Sequence, residues 1–171
     1  PVYPKAPVHQ CLDVYRFIGP IYERVVAERG VDNVTLMGDS AGGGFVLAFG
    51  MALAARGQPV PRIIAISPWM DVTCTNELIL GTRDAWLDVR ALRKQGKVYA
   101  GSLDPCDPLV SPLYGDASGL PDARILTGTV DVLSPDALLF EERNPYVVVW
   151  VYRDRNHVFP LFPISDGPRE A

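Results

Sequence analysis

The chain lacks almost everything that would take it to a nucleic acid, a metal or a bilayer. Its basic residues are scattered and its formal net charge is -4, so no basic face is available to meet phosphates. Its longest apolar stretch, Ala41 to Ala55, is rich in glycine and too short for a bilayer, which excludes stable membrane insertion through it. Cysteine is sparse: Cys11, Cys74 and Cys106 are far apart and odd in number. They form no disulfide framework and no metal spacing, so they read as free thiols, buried or partly buried, in a reducing compartment. No leader peptide is visible. The chain therefore reads as cytoplasmic, although it opens at Pro1 rather than Met and reads as cut from something longer. Histidine is the scarcest chemical resource. His9 and His157 are the only two, so any reaction needing an imidazole near neutral pH has two candidates.

What is present suits one domain. A chain of 171 residues, 48% of them hydrophobic, can bury a sizeable core. No internal repeat, low-complexity tract or long linker interrupts it. Pro7 to Arg29 predicts a helix, with Leu12, Val14, Tyr15, Ile18, Ile21, Val25 and Val26 roughly on one face. Pro20 should kink or divide it, and Gly30 is a plausible stop. Asn33 to Met37 predicts a buried strand, and Ser40 to Ala55 a helix. Ile63 to Ile66 is of strand length, and Ser67 to Thr75 is loop-like. Glu77 to Gly101 looks largely helical. Asp104 to Gly119, dense in Pro, Asp and Gly, reads as loop. Ala123 to Gly128 predicts a strand, Pro135 to Glu142 a helix, and Tyr146 to Val151 a strand. Strands that alternate with helices and are apolar throughout imply an α/β fold. The expected sheet is mostly parallel and covered on both faces.

The segment Asn33 to Gly44 carries the clearest chemistry. Gly38-Asp39-Ser40-Ala41-Gly42 fits G-x-S-x-G. On a tight strand-to-helix turn, Ser40 would be lifted clear of the sheet in a strained conformation. Gly38 and Gly42 are expected where a Cβ would collide with the neighbouring strand or helix. The helix N-terminus would favour an oxyanion, with the Ala41 N–H as one donor. A flexible glycine-rich turn is the bland alternative. An apolar strand before it and an apolar helix after it favour the nucleophile. A phosphate cradle is excluded, because neither G-x-x-x-x-G-K-[ST] nor G-x-G-x-x-G is present.

A serine hydroxyl needs a base. His9 precedes the nucleophile at the start of a polar helix. His157 follows the last apolar strand, where a loop opens onto the same side of a parallel sheet as the nucleophile turn. His157 is the candidate. The third member should orient the imidazole and offset its charge. Asp131 follows the strand Ala123 to Gly128 and gives the order Ser, Asp, His. Asp136 competes, but its place after Pro135 suits the first turn of a helix. Asp71 competes less well, since a loop-holding hydrogen bond is its simpler role.

Together these residues resemble the hormone-sensitive-lipase-like family of α/β-hydrolase esterases. GDSAGGG at Gly38 to Gly44 is the most specific match. SPWMDVT (Ser67 to Thr73), SPLYGDASGLP (Ser111 to Pro121), GTVDVL (Gly128 to Leu133), HVFPLFP (His157 to Pro163) and YPKAP (Tyr3 to Pro7) extend it over nearly the whole chain. The resemblance implies a single α/β-hydrolase domain over 1–171, with a helical cap insertion at roughly 77–102. It implies a carboxylic ester hydrolase working through Ser40, Asp131, His157 and an acyl-enzyme, with no metal or organic cofactor and a small-molecule ester as substrate. Under it, Trp69, Trp86 and Leu87 either line the substrate pocket or pack in the core. A homo-oligomer stays open.

Two departures stand out. The family's HGGG oxyanion motif is absent, so further donors are expected upstream of Pro1, along with the first strands of the sheet. The link Glu141-Glu142-Arg143-Asn144-Pro145 looks several residues short. Two alternatives therefore remain: a non-catalytic binding protein of this fold, and an amide or formamide hydrolase with the same three residues.

Overall fold

In the computed structural model, which describes residues 3–82 and 84–162, strands form at the four apolar runs. They are β1 (Thr35–Asp39), β2 (Arg62–Ile66), β3 (Ala123–Gly128) and β4 (Val148–Tyr152). All pair in parallel and in chain order, β1-β2-β3-β4. Parallel neighbours need crossovers. Helix α2 (Ala41–Ala55) links β1 to β2, and helix α4 (Ser134–Arg143) links β3 to β4. Helix α1 (Cys11–Arg29) precedes the sheet, and helix α3 (Val89–Ala100) lies in the long connection between β2 and β3.

Helix α1 begins at Cys11 rather than Pro7. The Gln10 N–H donates to Asp13 Oδ2 at 3.0 Å, so the Asp13 carboxylate anchors the entry. Pro20 does not divide the helix. It lies on the exposed side, as does Arg16, whose carbonyl loses its intrahelical donor and can face water.

The register shows which side chains share a face. Gly38 pairs with Ala65, Ala65 with Ile125, and Ile125 with Val149. This row and its alternates Ile63 and Ala123 pack against Val14 and Ile18 of α1, Phe45 and Phe49 of α2, and Ala137 and Phe140 of α4. The opposite row runs Met37, Ile64, Arg124 and Val148, with Leu126 and Trp150 in the next rank. Here Met37 is 58% exposed, Val148 45% and Trp150 42%. Among the described residues the helices of the main core gather on one face, and part of the other face is exposed.

A second apolar cluster includes Trp69, Val72, Ile79, Leu92, Val132 and Leu133. It joins the loops after β2 and β3 to the segment 77–100. Most of that segment is helical, as expected, but in two pieces rather than one. It comprises a 3-10 turn, Glu77–Gly81, then irregular chain, then α3. Asp84 explains the break: its Oδ1 accepts from Trp86 N at 2.7 Å and Leu87 N at 3.0 Å. A side chain that captures nearby amides competes with a helix. Asp88 then caps α3 through the Ala91 N–H at 2.8 Å.

The link that reads as short is closed by a turn. Asn144 N donates to Phe140 O and Glu141 O, both at 3.0 Å, and Val147 N to Asn144 O at 2.9 Å. Burial pushes the Cys11 and Cys74 thiols up to about 11, so both stay protonated at neutral pH. Cys106 is exposed, unlike the expectation of burial. Among the described residues, no helix is long and apolar enough to cross a membrane, and no group of three or more His, Cys, Asp or Glu could hold a metal ion.

Candidate active site

The site assembles where three loops leave the carboxyl ends of β1, β3 and β4. Ser40 follows β1 directly and holds φ 51 and ψ -119, a conformation that costs a non-glycine residue about 1–3 kcal/mol. Backbone bonds hold it there. Ser40 N donates to Ile66 O at 2.9 Å, and Ser40 O accepts from Gly44 N at 3.1 Å and Trp69 N at 2.9 Å. Its side chain does not cap α2, and the hydroxyl instead meets the histidine.

The glycines of the turn divide differently from expectation. A Cβ on Gly38 would lie 2.3 Å from Gly42 O, so Gly38 is sterically required. A Cβ on Gly42 would meet nothing within 4 Å. The close approach belongs instead to Gly44, whose Cβ would lie 2.0 Å from Trp69 O. The bare helix surface lets the loop after β2 lie against α2. The third glycine of Gly42-Gly43-Gly44 was the available signal for it.

Asp131 reaches Ser40 from the loop after β3, and His157 from the loop after β4. His157 Nε2 lies 3.0 Å from Ser40 Oγ, and His157 Nδ1 lies 3.2 Å from each Asp131 oxygen. His157 is 5% exposed and Asp131 fully buried. Asp131 also accepts from Leu133 N at 3.0 Å and Thr127 Oγ1 at 3.5 Å, so its charge is not left unsolvated. The ordering is chemically specific. A carboxylate holding Nδ1–H leaves Nε2 free to accept the serine proton.

Three further residues support this assembly, and two of them, Ser67 and Gly128, open the matched segments SPWMDVT and GTVDVL. Ser67, fully buried, accepts the Val158 N–H at 2.9 Å and so anchors the loop just after His157. Val158 sits at φ 49, a strained value for a β-branched residue. Gly128 lets the two loops touch: a Cβ there would lie 2.0 Å from Arg155 O, which accepts from Val130 N at 3.1 Å. Asp84 reaches the acid loop through Val132 N at 3.0 Å.

The rival residues fall elsewhere. His9 is exposed and lies 4.0 Å from Asp13. Asp71 is buried in the loop after β2 and organises it. It accepts from Thr73 N, Thr73 Oγ1, Thr75 N, Thr75 Oγ1 and Tyr114 OH. Burial alone would raise its pKa, but the donors of Thr73 and Thr75 outweigh this and hold the carboxyl below its ordinary value. Asp136 lies in the first turn of α4 yet is fully buried. Asn76 Nδ2 donates to its Oδ1 at 3.0 Å, while Oδ2 has no partner. Burial pushes its pKa up to about 6, and the charge of Asp71 adds to the rise.

A cavity of about 540 Å³ opens beside Ala41, with Phe45, Trp69, Val98 and Tyr99 in its walls. Trp69 is fixed by its indole N–H, which donates to Asp71 O at 2.9 Å. Trp86 and Leu87 do not line this cavity. Trp86 is 51% exposed and packs edge-on against Phe162, with ring centroids 4.9 Å apart. Leu87 lines a separate depression with Ile79 and Val132. Pro163, the end of the histidine-loop match, lies outside the described residues.

A family model described as alpha/beta hydrolase fold matches residues 1–161. The chain is 39% identical over 124 residues to an acetyl-hydrolase of Streptomyces hygroscopicus, covering 70% of this chain and 42% of that one. It is 31% identical over 156 residues to an esterase of Acinetobacter venetianus, covering 88% and 51%. A crystal structure of an esterase from the bacterial hormone-sensitive lipase family superposes with a TM-score of 0.87 at 30% identity, over 95% of this chain and 59% of that one. The chain thus spans about half, or less, of the length of these curated relatives.

Proposed function

The chain belongs to the alpha/beta-hydrolase-fold family, in its hormone-sensitive-lipase-like branch, and from that premise we propose that it hydrolyses carboxylic esters by two-step acyl transfer. The carrying observation is the 3.0 Å contact between Ser40 Oγ and His157 Nε2, with Asp131 behind the ring. His157 takes the Ser40 proton as the oxygen attacks the ester carbonyl. The Ala41 N–H and the N-terminal end of α2 stabilise the tetrahedral oxyanion. His157 then protonates the leaving alcohol, leaving an acyl group on Ser40. A water molecule gives its proton to His157 and attacks the acyl carbon. The carboxylic acid leaves as His157 returns the proton to Ser40. Asp131 holds the imidazole and offsets its transient charge.

The apolar cavity beside Ala41 suits the hydrocarbon part of a small ester, packed against Trp69 and Phe45. The segment 77–102 serves as a cap over the site. The names of the relatives, acetyl-hydrolase and esterase, support an ester as the scissile group. A fluorophosphonate probe followed by peptide mass measurement tests the reading. We expect one adduct, on Ser40, in protein that also turns over a p-nitrophenyl ester. Absence of both label and turnover in folded protein removes the assignment.

A further inference from the structure

The loop that carries Asp131 contains one donor that its own neighbourhood does not serve. Thr129 N donates to Tyr152 O at 3.0 Å, Val130 N to Arg155 O at 3.1 Å, and Asp131 N to Gly128 O at 3.2 Å. Leu133 N donates to the Asp131 carboxylate at 3.0 Å. The Val132 N–H goes instead to Asp84 Oδ2, at 3.0 Å and from 48 residues earlier in the chain. Val132 is buried, so water is a poor substitute acceptor. The other Asp84 oxygen folds the turn at Trp86 and Leu87. One carboxylate therefore shapes its own segment and grips the acid loop.

The position of that bond is what matters. Val132 N belongs to the rigid peptide plane that begins at the Asp131 carbonyl. With the preceding plane held by Asp131 N on Gly128 O, orienting this N–H restrains ψ of Asp131 and so the direction in which the Asp131 Cβ points. A charged acceptor makes the bond stronger than an ordinary amide pair. A second tie runs alongside. Asn76 Nδ2 donates to Asp136 Oδ1 at 3.0 Å, and Asn76 Oδ1 accepts from Leu78 N at 3.1 Å. Ile79, between the ties, and Leu87, just past them, pack with Val132 and Leu133 in one apolar cluster.

We propose that Asp84 is a positioning residue: by holding the peptide plane after Asp131, it aims that carboxylate at His157 and couples the segment 76–88 to the proton relay. The chemistry it serves rests on the ester-hydrolase reading; the hydrogen-bond geometry does not. Displacement of the segment loosens the acid, so the cap and the triad respond together.

The test uses the full chain with Asp84→Ala and Asp84→Asn, measured for ester kinetics, for Val132 amide exchange and for the downfield Nδ1–H proton resonance of His157. In Asp84→Ala, kcat should fall by about tenfold to a hundredfold with little change in KM, as for a small misplacement of a catalytic group. The His157 resonance should broaden or move upfield, and the Val132 amide should exchange faster. Asp84→Asn keeps the shape and a neutral acceptor, so it should lie between; it decides the matter if the alanine variant does not fold. Unchanged resonance and exchange in the asparagine variant overturn the proposal, and so does a loss confined to KM. If the parent protein turns over no ester but its His157 resonance still responds to Asp84→Asn, the ester reading fails and the positioning role stands.

Discussion

The nucleophile turn and the acid–histidine pair are held by different physics. The turn around Ser40 is contiguous, and its shape depends on close backbone contacts that glycine alone permits. The pair His157–Asp131 comes from loops 26 residues apart and depends on hydrogen bonds from distant groups, Ser67 and Asp84. The first half should be sensitive to added volume and indifferent to remote polar changes. The second should respond to remote polar changes as well as to added volume at Gly128, where a Cβ would lie 2.0 Å from Arg155 O.

The largest expected effect removes the proposed nucleophile. Ser40→Ala should lower ester turnover by about four to six orders of magnitude and leave the urea midpoint near that of the parent. Retained turnover would dissolve the comparison, since no nucleophile turn would be left to contrast. Volume comes next. Gly44→Ala would put a Cβ 2.0 Å from a backbone oxygen that has little room to retreat, and should cost about 3 kcal/mol or more in urea unfolding. Gly42→Ala meets nothing within 4 Å and should stay within about 0.5 kcal/mol of the parent. Equal losses at the two positions would show that the turn does not owe its sensitivity to contact distance.

The third test sits beneath the acid loop. Burial favours the neutral form of Asp136, raising its pKa from 3.8 to about 6. Its support for the folded state is therefore full below the unfolded value and is lost as pH rises through about 6. Asp136→Asn cannot ionise and keeps an acceptor for Asn76. Relative to the parent, its stability should rise from pH 4 to pH 6 by about 2–3 kcal/mol and then level off. Chemical denaturation at a series of pH values measures the difference. A flat difference would mean that this carboxyl is not held neutral by burial.

Much of this was legible in the chain because it was local. The run from Asn33 to Gly44 specifies strand, turn and helix within a dozen residues. The strands at Ala123 and Tyr146 place Asp131 and His157 at the same end of the sheet by parity alone. What was not legible depended on partners distant in sequence. Resemblance alone makes Trp86 and Leu87 pocket or core residues, and nothing in the local pattern announces that the Asp84 carboxylate turns the chain at both. Gly42 looked indispensable because G-x-S-x-G names it, yet the contact belongs to Gly44, where the partner is the backbone of Trp69.

Among the described residues, the exposed row of Met37, Arg124, Val148 and Trp150 carries over into bulk thermodynamics. Solvent already wets these side chains in the native state, so unfolding does not newly hydrate them. Heat-capacity increments and denaturant slopes scale with the surface released on unfolding. Calorimetry of this polypeptide should therefore give a shallower stability curve, and urea titration a gentler slope, than its length alone would suggest.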